Sequence, residues 1–88
     1  MYTVYPSKDV DKFLDKLDAH IRVRLEEKLK TLGITPIPSD SKFIERDVFG
    51  DKIFRYRIGD YRALYKVKDS EQAVIIIKVD KRPRIYDR

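Results

Sequence analysis

The stretches IFRYRI (residues 53–58) and YRALYKV (61–67), separated by the pair GD (59–60), decide the fold. Both stretches alternate apolar with mainly basic residues, which is typical of β-strands that cover a core with one face. A two-residue break that begins with glycine is typical of a tight hairpin turn. We therefore predict a β-hairpin in which Ile58 lies opposite Tyr61.

The predicted register sorts the side chains of this hairpin onto two faces. One face is apolar and is expected to pack on helices; it carries Phe54, Tyr56, Ile58, Tyr61, Ala63, Tyr65 and Val67. The other face is expected to be exposed and carries Arg55, Arg57, Arg62 and Lys66. Arg57 directly opposite Arg62 is a like-charge pair that costs up to about 1 kcal/mol. A solvated surface is one interpretation, but a binding site for a polyanion explains the arginines better, because guanidinium groups bind phosphate oxygens bidentately.

Upstream of the hairpin, the sequence predicts a short strand at residues 2–5 and then two helices joined as a hairpin. Ser7 is a suitable N-cap for the first helix, whose apolar residues follow at helical spacing: Val10, Phe13, Leu14 and Leu17. The second helix has a stripe of Ile21, Leu25, Leu29 and Leu32, and Gly33 is expected to end it. Residues 34–42 are a predicted loop, followed by a short extended piece at 43–44.

Downstream of the hairpin, residues 73–79 are almost all apolar and mostly β-branched, which predicts a central strand buried on both faces. The predicted fold class is α+β, in the order β-α-α-β-β-β, with the two-helix hairpin packed on a small, mainly antiparallel sheet. The 88 residues are expected to make a single domain, residues 1–88.

The net charge of +5 is distributed unevenly along the chain. Residues 1–41 hold seven basic and seven acidic residues, whereas residues 42–88 hold thirteen basic and eight acidic residues. A basic excess confined to one half indicates a polyanionic partner, most commonly nucleic acid.

Composition argues against several other classes of function. The chain has no cysteine and one histidine, so disulfide, thiolate and histidine-rich metal chemistry are not expected, and neither is a metal or another cofactor. No apolar run approaches the roughly 18 residues that a membrane span needs, and the N-terminus does not resemble a signal peptide, so the expected location is the cytoplasm.

The motifs Arg55-Tyr-Arg57, Gly59-Asp-Tyr-Arg62-Ala-Leu-Tyr65 and Val79-Asp-Lys-Arg82 with Tyr86 resemble the RelE/ParE toxin superfamily. The resemblance spans nearly the whole chain and includes the order of the elements. RelE-like members cleave messenger RNA in the ribosome without a metal, by attack of a 2′-hydroxyl on the adjacent phosphate. The resemblance therefore implies the ribosome and messenger RNA as partners, together with a RelB-like antitoxin protein.

The resemblance also implies roles for individual residues. Arg62 would stabilise the transition state, Arg82 would donate a proton or replace the donor electrostatically, and Tyr86 would stack on a base or help to activate the nucleophile. The remaining residues would hold the RNA backbone: Arg55, Arg57, Lys66, Lys81 and Arg84. RelE has lysines where this chain has Arg55 and Arg57, and an arginine effectively cannot lose its proton. Tyr86 is then the candidate base.

Several alternatives stay open at the level of sequence. Some related toxins use a glutamate, and Glu45 or Asp47 could fill that role here. A ParE-like protein would share the fold and inhibit DNA gyrase without a nuclease site. A non-catalytic RNA-binding module of the same fold is a third possibility.

Overall fold

The computed structural model describes residues 1–81. Three residues with predicted functions lie outside the described residues: Arg82, Arg84 and Tyr86. The elements in chain order are β1 (Thr3–Pro6), α1 (Lys8–Asp15), α2 (Ala19–Lys30), β2 (Ser41–Arg46), β3 (Lys52–Ile58), β4 (Tyr61–Lys68) and β5 (Ala73–Lys81), with 3-10 turns at Thr31–Gly33 and Asp69–Glu71. The sheet order is β1-β5-β4-β3-β2. β1 pairs with β5 in parallel, and the other neighbouring strands are antiparallel. The predicted α+β fold class is confirmed. The sheet has one more strand than predicted, the edge strand β2, which includes the short extended piece expected at 43–44.

The hairpin of β3 and β4 has the predicted register. Ile58 pairs with Tyr61 and Arg57 pairs with Arg62, and Gly59 in the turn has a φ of 59°. A residue with a side chain rarely adopts this left-handed conformation, so glycine is what allows the two-residue turn. Every side chain predicted on the apolar face is buried.

Both helices contribute apolar side chains to the core beneath this face. Val10 and Leu14 of α1 and Leu25 and Leu29 of α2 are at most 5% exposed. Ser7 caps α1 as predicted, because its Oγ accepts the Val10 N–H at 3.2 Å. Its hydroxyl also donates to the carbonyl of Ile77 in β5, which attaches the start of the helix to the sheet.

Gly33 has a different role from the predicted one. α2 ends at Lys30 and the chain continues as a 3-10 turn through Gly33, whose φ is not among the positive ones. A Cβ at this position would lie 2.8 Å from the carbonyl oxygen of Tyr2, and the Gly33 carbonyl accepts the Tyr2 N–H at 2.8 Å. Glycine is therefore required here by the close approach of the chain that leads into β1.

The prediction that β5 is buried on both faces was wrong for one of them. Val74, Ile76 and Val79 are at most 3% exposed on the helical side, whereas Ile75, which pairs with Lys66 on the other face, is only partly buried. Within residues 1–81, both helices cover the same side of the sheet, so neither of them packs on the other face of β5.

Candidate nucleic-acid interface

The face of the sheet opposite the helices, which we call the open face, collects the basic residues of the central strands. In β3 it carries Arg55 and Arg57, and in β4 it carries Arg62 and Lys66. Register places them in the same neighbourhood, since Arg57 lies directly opposite Arg62 and Arg55 lies two residues along β3.

Lys42 is a further cation of this face that the sequence pattern did not indicate. Lys42 of β2 is the register partner of Arg55, so directly opposite residues put both side chains on the open face. Lys42 is exposed. We call Lys42, Arg55, Arg57 and Arg62 the cation cluster. The pairing of β2 with β3 is irregular between Phe43 and Glu45, where the register shifts. Because of this irregularity, the alternation of residue types does not show which face of the sheet each β2 side chain lies on.

Two members of the cation cluster are buried, which contradicts the exposed basic face that the sequence suggested. Arg55 is 9% and Arg62 is 6% exposed, whereas Arg57 is exposed. Desolvating a guanidinium group is costly unless it has partners, and a buried guanidinium is held in a narrow range of positions. Arg62 is thus part of the packed structure, and removing it should cost stability.

Arg57 turns toward the end of the hairpin. Its Nε donates to the Gly59 carbonyl at 3.3 Å, a contact that draws the guanidinium toward the β3–β4 turn.

Lys66 is held by acidic side chains, so the prediction that it is an open phosphate ligand does not fit the structure. Its Nζ donates to Asp47 Oδ2 at 2.9 Å and lies 3.5 Å from Asp51 Oδ2. Lys68 extends the network to the same Asp51 oxygen at 3.6 Å. Both acids come from the segment between β2 and β3, which the sequence could not place beside β4.

Asp47 organises that segment, and its ionised carboxylate is unsuited to donate a proton. Its Oδ1 accepts the backbone N–H groups of Phe49 and Asp51, at 2.9 and 3.0 Å. The hydrogen bond from Lys66 holds the pKa of Asp47 below its ordinary value, and the same bond raises the pKa of Lys66. A carboxylate with a lowered pKa stays ionised at neutral pH. Glu45, the alternative, is exposed on β2 and pairs in register with Ile53.

Lys81 lies on the helical side of the sheet, away from the cation cluster. It pairs in register with Tyr61, and its Nζ lies 5.9 Å from the centre of the Tyr61 ring. The register partner of Arg62 on β5 is instead Asp80, whose Oδ1 accepts the Lys81 backbone N–H at 2.8 Å.

This arrangement can bind a phosphodiester and stabilise additional negative charge on it. Guanidinium groups fixed by burial are preorganised for the charge that develops on a pentacoordinate phosphorus. They cannot act as general bases, since they keep their protons. Residues 1–81 include no group of three or more His, Asp or Glu side chains arranged to hold a metal ion. Among the helices described, none is long and apolar enough to cross a membrane.

Comparison with known proteins places the chain among small toxins. Residues 4–86 match the family model described as the ParE toxin of the type II toxin–antitoxin system parDE. The chain is 32% identical over 85 residues to the protein of Methanocaldococcus jannaschii named "Putative toxin RelE1", covering 97% of this chain and 94% of that protein.

Solved structures of toxin–antitoxin complexes share the fold. The toxin chain of the archaeal RelE–RelB complex from Pyrococcus horikoshii superposes with a TM-score of 0.81 at 29% identity, covering 96% of this chain and 98% of that chain. The RelBE2 complex of Mycobacterium tuberculosis gives a TM-score of 0.76 at 32% identity, with coverages of 92% and 98%.

Proposed function

This chain belongs to the RelE/ParE superfamily of toxins of toxin–antitoxin systems, and we propose that it is a ribosome-dependent endoribonuclease that cleaves messenger RNA. The observation that carries the proposal is the cation cluster on the open face, where arginines of adjacent strands meet in a fixed register. The relatives named RelE and the structural match to RelE chains support this choice within the superfamily.

In the proposed reaction, the 2′-oxygen of a ribose attacks its own 3′-phosphate. A bond forms between the 2′-oxygen and phosphorus while the bond from phosphorus to the 5′-oxygen of the next nucleotide breaks. The products are a 2′,3′-cyclic phosphate and a 5′-hydroxyl. A base must take the proton of the 2′-hydroxyl, and an acid must protonate the leaving oxygen.

The positions of the described residues support the following roles. Arg62, buried between its register partners Arg57 and Asp80, would stabilise the charge of the transition state. Arg57 and Arg55 would hold the RNA backbone, with Lys42 beside them. From the family resemblance, Tyr86 is proposed as the base and Arg84 as a further phosphate contact. Arg82 is proposed as the electrostatic substitute for the acid: it stabilises the charge on the leaving 5′-oxygen, which takes its proton from water.

We also propose a RelB-like antitoxin as the physiological partner, because the P. horikoshii and M. tuberculosis relatives were solved as complexes with RelB proteins. An acidic segment of such a protein would compete with RNA for the cation cluster. If a short open reading frame abuts this gene, its co-expression with the toxin tests the proposal. We expect the encoded protein to copurify with the toxin and to suppress cleavage; a neighbouring product that does neither would contradict it.

The nuclease is tested by primer extension on a messenger during reconstituted translation. The wild-type protein should cut within codons in the ribosomal A site. Arg62→Lys keeps the charge but loses the bidentate fork, and the rate should fall by about 10²–10³-fold, as for removal of one preorganised donor in other enzymes. Arg57→Gln should also reduce cleavage, and it leaves the fold intact because Arg57 is exposed.

Arg22→Gln is the matched control, because it removes the same charge from α2, where Arg22 pairs with Asp15 at 2.7 Å. It should cleave like wild type. Thermal melts of each variant separate loss of the site from loss of the fold. An intact messenger with the folded wild-type protein would overturn the proposal, and so would cleavage that is unaffected by both cluster substitutions.

Inhibition of DNA gyrase is the second candidate, because the matching family model is that of ParE. A supercoiling assay with purified gyrase distinguishes the two functions. We expect supercoiling to continue in the presence of a molar excess of the folded protein. Inhibition of gyrase together with an intact messenger would favour the ParE activity.

A further inference from the structure

A cleft on the helical side of the molecule, between α2 and the β3–β4 turn, is separate from the open face. It encloses about 310 Å³. Its floor is apolar and consists of Ile21, Leu25 and Ile58, while its walls carry the charged residues Arg24, Asp60 and Lys81. This volume is at the lower end of the range of about 300–1,000 Å³ typical of small-ligand sites. It suits one nucleotide and is too small for a helix of a protein partner.

Positive charge predominates at this cleft. Among the residues that the structure describes, neither Arg24 nor Lys81 is in an ion pair with a carboxylate. Both residues are exposed at the rim, and Arg57 reaches the same turn from the open face through its bond to the Gly59 carbonyl. Three cations thus lie around the β3–β4 turn: Arg24 of α2, Arg57 of β3 and Lys81 of β5.

Gly59 allows the close packing of Arg24 against the turn. A Cβ at Gly59 would lie 3.1 Å from Arg24 Nη2, so a side chain there would displace the guanidinium. The Arg24 guanidinium therefore lies beside the turn, where Arg24 and Gly59 both line the cleft. Its planar fork can bind the oxygens of a phosphate bidentately.

We propose that this cleft binds one nucleotide of single-stranded RNA, next to the strand held on the open face. The phosphate lies between Arg24 and Lys81, the base or ribose covers the apolar floor, and the Asp60 carboxylate accepts a hydrogen bond from a ribose hydroxyl or an exocyclic amine. Because the β3–β4 turn separates the cleft from the cation cluster, one strand would pass around the turn and contact both. This inference rests on RNA being the ligand of the open face.

The test uses a fluorescently labelled 12-nucleotide RNA with 2′-O-methyl groups throughout, which cannot be cleaved because the attacking hydroxyl is blocked. Fluorescence anisotropy gives its affinity over a range of salt concentrations. Arg24→Gln and Lys81→Gln should each weaken binding by about tenfold at low salt, since each removes a charge-assisted contact. Each should also reduce the slope of log affinity against log salt by about 0.7. Arg22→Gln on the same helix removes the same charge and should leave both quantities unchanged.

Adenosine 5′-monophosphate serves as a second probe that locates the site. In proton–nitrogen correlation spectra, the amide signals of Gly59 and Asp60 should shift in the wild-type protein and stay in place in Arg24→Gln. Adenosine without phosphate should shift them much less. The inference is overturned if the Arg24 and Lys81 variants bind the RNA like wild type. It is also overturned if Arg24→Gln weakens binding of a polyglutamate peptide but not of the RNA, which would make the cleft a protein interface.

These results are independent of the nuclease assay. If the messenger stays intact but Arg24→Gln weakens RNA binding, the proposed reaction fails and the nucleotide site stands. If the messenger is cut and the cleft variants bind RNA like wild type, the proposed reaction stands and the nucleotide site fails.

Discussion

Replacing Tyr65 measures how far the buried face of the hairpin stabilises the fold. The side chain is fully buried, its ring stacks on Phe54 with centroids 5.5 Å apart, and its hydroxyl donates to the Pro36 carbonyl at 2.7 Å. Tyr65→Phe removes only the hydrogen bond and should cost about 1 kcal/mol. Tyr65→Ala also removes the ring and should cost about 3–5 kcal/mol. Small domains have total stabilities of about 5–15 kcal/mol, so the alanine variant should lose a large part of its stability.

Urea unfolding followed by circular dichroism measures the free energy of unfolding of both variants. On heating, the unfolding midpoint of Tyr65→Phe should lie about 4–8 °C below that of wild type. Tyr5→Ala is the control, since Tyr5 is 53% exposed and its removal should change the stability by less than about 0.5 kcal/mol. A Tyr65→Ala variant within about 1 kcal/mol of wild type would refute the assignment of this face to the core.

The hydroxyl of Tyr65 also gives a dependence on alkaline pH. Burial raises the pKa of Tyr65 to about 12, above the value of 10.0 for an exposed tyrosine. The folded state therefore keeps its proton where the unfolded state has lost it. The stabilisation by the protonated phenol is complete below pH 10 and is lost as the pH rises from 10 through 12. Between pH 9 and pH 11, the free energy of unfolding should fall less for Tyr65→Phe than for wild type. An equal fall in both proteins would contradict the raised pKa of Tyr65.

Three further substitutions test local features of the fold. Gly59→Ala should cost about 1–2 kcal/mol in urea unfolding, because the turn needs a left-handed backbone; an unchanged stability would show that another turn type suffices. Gly33→Ala should cost about 1–3 kcal/mol, because the new Cβ would lie 2.8 Å from the Tyr2 carbonyl oxygen, and a neutral effect would mean that β1 can move away freely. Asp47→Asn should be less stable than wild type at pH 7 but less sensitive to acid, since the lowered pKa of Asp47 stabilises the fold above the ordinary aspartate pKa and this stabilisation is lost as the pH falls. Identical acid unfolding curves of the two proteins would show that the bond from Lys66 does not form in solution.

The hairpin could be predicted from sequence because its information is local. The two-residue turn at Gly59 fixes which residues are opposite, and alternation then assigns every side chain to a face. The same reasoning placed Arg55, Arg57 and Arg62 on the open face, as observed.

The edge of the sheet and the burial of the arginines depend on information that is not local. In β2 four of six residues are exposed and the pairing is irregular after Phe43, so neither alternation nor apolarity marks the strand. Lys66 pairs with an acid nineteen residues away in the sequence. The low exposure of Arg55 and Arg62 is a property of tertiary packing, which a strand pattern does not encode.

The central claim is that the 2′-hydroxyl of the messenger is the nucleophile and that the cation cluster stabilises the reaction. The most direct test is reconstituted translation on a messenger that carries one 2′-deoxynucleotide at a position the wild-type protein cuts. Primer extension should show that the cut disappears at that nucleotide and persists at the other sites. Cleavage that continues at the deoxynucleotide, or a messenger that stays intact at every site, would contradict the account.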